Sequence, residues 1–174
     1  MKSSVYNATM PRQIVVIAHN LRSTHNVGSL LRTAEGLGIE RVYLTGYTPY
    51  PLAPDDTRLP HIAQKLARQI NKTALDAEKT LPWQHVEDIT ELIAGLRADG
   101  YSIAALEQTP SALPLPTYEP PQKIALILGS EVEGVEPEVL ALTELQLVIP
   151  MFGSKESFNV VQAAAMALSH LRFA

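Results

Sequence analysis

The run Lys123-Ile-Ala-Leu-Ile-Leu-Gly129 constrains this chain more than any other segment. Its five central residues are apolar without a break, and a strand can carry such a run only when both of its faces are covered. That excludes a one-sided antiparallel sheet and asks for helices on both sides of a parallel one. Residues 13–19, 41–46, 83–87, 101–107 and 145–150 form further short runs rich in Val, Ile, Leu or Tyr and bounded by turn residues. With residues 123–129 they predict an α/β fold with a mainly parallel six-stranded sheet flanked by helices. Asn26 is the expected N-cap of the first helix and Gly38 the glycine after its end. Asp88 and Glu91 read as a capping box with Gly100 beyond, and Pro137 suits a first helical turn. The last helix is expected over about residues 157–171 and, being apolar at its start, to be buried. Two loops, 47–60 with four prolines and 108–122 with five, are too short to be domain linkers, so one domain over residues 1–174 is expected.

Composition narrows the function. Hydrophobic residues make up 46% and charged residues 18%, which excludes disordered and collagen-like chains. There is no cysteine, which removes disulfides, thiolate zinc sites and cysteine nucleophiles together and fits a reducing compartment. No apolar stretch approaches the roughly 18 residues of a membrane span or reads as a signal peptide, so a cytoplasmic protein without a membrane partner is expected. The net charge of −4 is unevenly spread: residues 1–75 carry nine Lys/Arg and four Asp/Glu, residues 76–174 five and fourteen. Arg12, Arg22, Arg32, Arg41, Arg58, Lys65, Arg68 and Lys72 lie in the basic half, which leaves an anionic partner open.

In open α/β sheets ligands bind beyond the carboxyl ends of the strands, which here points at residues 19–26, 107–110, 129–134 and 150–159. The Gly129-Ser-Glu-Val-Glu-Gly134 loop has two glycines at phosphate-loop separation, but Val135-Glu136 stand where Lys and Ser/Thr are required, so a triphosphate site is excluded. No G-x-G-x-x-G follows a predicted strand, no G-x-S-x-G elbow exists, and the five histidines lack metal-ligand spacing. What is left is a pocket of glycines, backbone amides and a few polar side chains suited to a nucleoside-like ligand.

Three segments, Asn26-Val-Gly-Ser-Leu-Leu-Arg32, Leu128-Gly-Ser-Glu-Val-Glu-Gly-Val135 and Ile149-Pro-Met-Phe-Gly-Ser-Lys-Glu-Ser-Phe-Asn-Val160, resemble the three ordered motifs of the SpoU/TrmH family of RNA ribose 2′-O-methyltransferases, of the SPOUT class. The resemblance implies a C-terminal deep trefoil knot, a homodimer, and S-adenosylmethionine bound in the knot loops and released as S-adenosylhomocysteine. It makes Arg32 the catalytic arginine, with Asn26 beside it, Glu131 the carboxylate of the second motif, and Ser157 and Asn159 the polar pair of the third. Leu106, Gly129, Ile149, Met151, Ser157 and Phe158 match the cofactor positions, and no metal is implied. Each has a plainer role open to it: Asn26, Ser157 and Asn159 as helix caps, Arg32 as a salt-bridge partner of Glu35, Glu131 as a solvated acid, the cofactor positions as core. Phe158 replaces a commoner Leu, and Val161-Gln162 stand where Ser-Val is frequent. No separate N-terminal RNA-binding domain is expected, and the small size favours tRNA over rRNA as the substrate. The rival readings are a non-catalytic RNA-binding protein that keeps the knot fold and a methyltransferase acting on a base nitrogen.

Overall fold

A computed structural model describes residues 11–174; residues 1–10 of the expected domain lie outside the described residues. Seven strands form one sheet: β1 Gln13–His19, β2 Arg41–Thr45, β3 Trp83–Val86, β4 Ser102–Leu106, β5 Leu113–Pro114, β6 Lys123–Leu128 and β7 Leu145–Val148. Their spatial order is β3-β2-β1-β6-β4-β7-β5, and every pairing is parallel. Four α-helices lie between them, α1 Thr24–Gly36, α2 Pro60–Ala74, α3 Ile89–Ala98 and α4 Pro137–Leu140, and α5 Val160–Phe173 follows β7.

The sheet has one strand more than the six expected. β5 is two residues long and sits inside the second proline-rich loop, where Leu113 and Pro114 pair with Leu147 and Val148. Neither its length nor its proline gives a periodic signal. The other strands fall where expected, with ends trimmed by a residue or two.

The pleat explains why β6 is apolar throughout. Ile124, Leu126 and Leu128 join Ile14, Val16 and Ala18 of β1 in a core closed by α1, α2 and α5. Ala125 and Ile127 join Val15 and Ile17 in a second core under α3 and α4. Successive side chains point to opposite faces, so a central strand between two helical layers needs an apolar residue at every position.

Helix α1 is capped by Ser23, whose hydroxyl accepts from the Asn26 amide N–H, and Gly38 follows its end at φ 63°. Asn26 is therefore a first-turn residue of α1 and not its N-cap, which frees its side chain for the site. Gly28 lets α1 meet α2 closely: a Cβ there would overlap the Ile70 carbonyl oxygen and the Thr73 hydroxyl. The same hydroxyl donates to the His25 carbonyl at 2.9 Å, which ties the two helices a turn earlier.

Helix α5 begins at Val160, capped by Asn159, so Ser157 lies ahead of it and the expected start at residue 157 is too early. Its burial is also one-sided. Ala164, Ala167, Leu168 and Leu171 are buried, while Met166 and Phe173 are exposed, as are Phe158 and, at 98%, Phe152 just before the helix. The apolar start is only half-buried, Val160 packing against the core while Val161 and Ala163 are partly covered, so the helix is embedded along one stripe.

A strap, the segment from Tyr47 to Arg58, lies against the side chains of β3. Tyr50 stacks on His85 of β3 with ring centroids 4.1 Å apart, and the Arg58 guanidinium lies 3.5 Å from the Tyr50 ring centroid. Arg58 also donates to the Tyr50 and Pro51 carbonyls and pairs with Asp56. That bond with Arg58 holds the Asp56 carboxyl well below the usual carboxylate range. Arg58 is thus spent on the strap.

Candidate active site

The site is built at the carboxyl ends of β1, β4, β6 and β7. After β6 the chain folds into a tight loop in which Ser130 and Gly134 exchange backbone hydrogen bonds of 2.9 and 3.0 Å. Both glycines are required. A Cβ on Gly129 would overlap the Gly134 backbone, and Gly134 itself has a φ of 71° beside the Glu107 carboxylate. Glu107, from the end of β4, accepts from the Val135 N–H at 2.8 Å and so pins the loop from the other side.

Glu131, at the loop's tip, reaches across to the start of α1. Its carboxylate accepts from the Arg22 N–H at 2.9 Å, the Ser23 N–H at 3.2 Å and the Asn26 side-chain amide at 2.8 Å. A helix N-terminus presents unpaired N–H groups and a positive dipole end, so an anion is favoured there. Partial burial alone would raise the Glu131 carboxyl, but these donors outweigh it and hold it below its ordinary value. Asn159 completes the chain: its amide nitrogen lies 3.4 Å from the Asn26 Oδ1, while its own Oδ1 accepts from Val161 N–H and caps α5. One residue from each of the three motif segments is thus joined in a single hydrogen-bonded row.

A second, buried row lies behind the first. Asn20 adopts φ 56°, which turns the chain sharply after β1 and brings its amide onto Glu136 Oε1 at 2.6 Å. His19 Nε2 lies 2.9 Å from Glu136 Oε2, and its Nδ1 lies 2.8 Å from the Thr45 hydroxyl. Nε2 also lies 3.1 Å from the Asn20 amide nitrogen, so His19, Asn20 and Glu136 form one buried cluster. The Tyr47 N–H donates to Asn20 Oδ1, and Gly46, at φ 64°, leaves the space that Asn20 fills.

These loops enclose a cavity of about 470 Å³, open to one side. Leu106, Gly129, Ile149, Ser157 and Phe158 line it, as do Glu131 and Asn159. Met151 is half-buried but does not reach the lining, and Asn26 is joined to it only through Glu131 and Asn159. Arg32 stands apart. It is exposed on α1, on the side that carries Gly28, and makes no hydrogen bond or ion pair among the described residues, Glu35 included. Ser157 is exposed and caps nothing. No cluster of three or more His, Asp or Glu side chains that could hold a metal occurs among the described residues.

Sequence reasoning missed the roles of Glu107, Glu136, His19 and Asn20. A carboxylate at the end of one strand and another two residues beyond a glycine loop are a signal of loop anchoring, but the partners lie 28 and 117 positions away in the chain.

The three segments and the loops they form agree with a family model. Residues 13–169 match the SpoU rRNA Methylase family. The chain belongs to this family. Among its relatives is the 23S rRNA (guanosine-2′-O-)-methyltransferase RlmB of Neisseria meningitidis, 27% identical over 91% of this chain and 58% of that protein. An AdoMet-bound rRNA methyltransferase from Sinorhizobium meliloti has the same fold, with a TM-score of 0.76 at 20% identity over 92% of this chain and 56% of the other. A solved structure concerned with the 2-OH methylation of C/U34 on tRNA matches at a TM-score of 0.75 and 21% identity, over 92% of this chain and 94% of that one. The chain thus spans little more than half of the first two and nearly all of the third.

Proposed function

We propose that this protein transfers a methyl group from S-adenosylmethionine to a ribose 2′-hydroxyl of RNA, with tRNA favoured over rRNA. The row Asn26, Glu131 and Asn159, one residue from each motif segment beside one cavity, carries the reading. The preference for tRNA is supported by the solved structure matched along nearly its whole length, which concerns tRNA.

The cavity suits the cofactor. Its volume falls within the roughly 300–1,000 Å³ of small-molecule sites. Leu106, Leu147 and Ile149 offer an apolar wall for an adenine ring, and Gly129, Ser157 and Phe158 offer main-chain and side-chain contacts around it, with Met151 behind. When bound, S-adenosylmethionine supplies an electrophilic methyl on a positively charged sulfur.

The protein's own groups then orient the ribose and handle one proton. Asn26, held by Glu131 and Asn159, keeps a fixed amide for the sugar, and such orientation lowers the barrier by removing freedom in advance. Glu131 stays ionised and acts as a positioning residue, because all its contacts are to donors that hold α1. Arg32 remains charged, since guanidinium has a pKa above about 12. It grips the phosphate beside the target and stabilises the 2′-oxyanion as it forms, while Ser157 or water passes the proton on to bulk solvent.

Two assembly features belong to the same proposal. The exposed Met166, Phe173, Phe158 and Phe152 form the apolar face of a homodimer, and Arg32 lies off the cavity of its own chain, as a site shared between subunits requires. The segment from β7 to α5 is threaded as a deep trefoil knot through the 107–122 connection, which grips α5 where His170 Nε2 meets the Tyr118 carbonyl at 2.7 Å. The 1–174 domain acts in the cytoplasm.

The deciding experiment incubates the protein with methyl-labelled S-adenosylmethionine and unmodified tRNA or rRNA, then digests to nucleosides. Label in a 2′-O-methyl nucleoside is expected; label on a base, or none, rejects the reading. Light scattering should give twice the 19.0 kDa chain mass, and a monomer would reject the shared site.

A further inference from the structure

Helix α2 contains no acidic residue in its 15 positions, in a chain whose net charge is −4. Its sequence places His61, Lys65, Arg68 and Lys72 at spacings of four, three and four, which puts all four on one face of a helix. That face is opposite Ala63, Ile70 and Ala74, which are buried, and all four residues are exposed. From Lys65 to Lys72 the stripe runs about 10 Å along the axis at 1.5 Å per residue.

The cations of this stripe differ from most others in the molecule. Arg12, Arg58 and Arg172 donate into backbone carbonyls, Lys79 pairs with Asp76, Arg97 with Glu144, and Lys123 reaches the Asp99 carbonyl. Lys65, Arg68 and Lys72 have no hydrogen-bond or ion-pair partner among the described residues. A surface helix held for solubility alone interleaves both signs and gains i,i+4 pairs; this one forgoes them.

Position gives the stripe its meaning. It lies on the solvent side of α2, away from the contact that Ile70, Thr73 and Ala74 make with α1, and its C-terminal end is level with the first turn of α1, which carries Asn26. Arg32, four residues after Gly28, projects from that side of α1 and is likewise unpartnered.

We infer that the Lys65, Arg68 and Lys72 face of α2 is a docking track for the phosphodiester backbone of the RNA, leading to the site at α1. This rests on the methyltransferase reading above. An acid-free row of unpaired cations attracts a polyanion without reading its sequence, so the track supplies affinity and orientation while the cavity supplies chemistry.

The test is the triple variant K65Q/R68Q/K72Q of the full chain, compared with wild type by filter binding to unmodified tRNA transcripts across a salt series. Thermal melting and calorimetric titration with S-adenosylhomocysteine report folding and the cavity, and both should match wild type. RNA affinity should fall at least about 10-fold near 0.1 M salt, and the slope of log K against log salt should shrink by about 2, at roughly 0.7 per contact to a single strand. Methylation should show a raised KM for RNA with kcat retained. If the triple variant melts early, R68E alone should give the same direction of change. Unchanged affinity and slope with wild type binding RNA overturns the track alone. Wild type that binds S-adenosylhomocysteine but no RNA overturns both the track and the methyltransferase reading.

Discussion

Glu136 Oε2 lies 2.9 Å from His19 Nε2, and its other oxygen accepts from Asn20, so one carboxylate ties the end of β1 to the start of α4 across 117 residues of sequence. Glu131 ties the same two segments a few residues away on the exposed side. Two carboxylates five positions apart therefore clamp the glycine loop to the β1–α1 turn.

Glu136→Ala removes the carboxylate from His19 Nε2 and the Asn20 amide and leaves these two buried groups only each other at 3.1 Å, and an unsatisfied buried donor costs about 1–3 kcal/mol. Denaturant unfolding should register that loss. A double-mutant cycle with His19→Ala should show a non-additive coupling, whereas additive effects would mean that the contact contributes nothing.

Glu131→Gln keeps the shape but puts an amide where two N–H donors point, so it should lower stability by about 1–2 kcal/mol near neutral pH. The sign with pH follows from the carboxyl being held below its ordinary 4.5. Its contribution is complete above the unfolded value and is lost as pH falls through the folded one. Melting curves of wild type and variant should therefore converge in acid. A difference that persists undiminished at pH 2 would contradict this role.

Gly28→Ala forces a methyl into the Ile70 carbonyl and the Thr73 hydroxyl, both fixed by helix α2. The α1–α2 contact must open, at about 1–3 kcal/mol or more. Gly36→Ala, which meets nothing within 4 Å, is the control and should be neutral or mildly stabilising.

For Arg32→Lys the clamp role predicts slower methylation at every pH, because an ammonium cannot grip a phosphate bidentately. Single-turnover rates from about pH 6 to 10 check it, since lysine, with a pKa of about 10.4, is the better base. A lysine variant as fast as wild type, or one that accelerates steeply toward pH 10, would assign proton abstraction to residue 32.

Much of this was readable in the chain. The unbroken Ile124–Leu128 run dictated a two-sided parallel sheet, and the Gly129 and Gly134 spacing marked a loop that both glycines turn out to be needed for. Other features escaped for physical reasons. Asn26 looked like a cap because Ser23, three residues earlier, competes for the same task, and only the position of Glu131 decides which side chain stays free. The exposed face of α5 was invisible because hydrophobicity reports a preference for burial, not the presence of a covering element. The clamp through Glu136 is long-range, and no local pattern encodes it.

The strap from Tyr47 to Arg58 bears on the protein's behaviour at high concentration. β3 ends the sheet, and the outer side of a terminal strand is a template on which a stray chain can add itself. β3 offers only four residues of such edge, and Tyr50, laid on His85 and locked by Arg58, packs the strap over the adjoining face of the sheet. Loosening the lock should uncover the Trp83 and His85 rings beside that edge and first be felt as self-association on storage, with turnover per folded molecule intact.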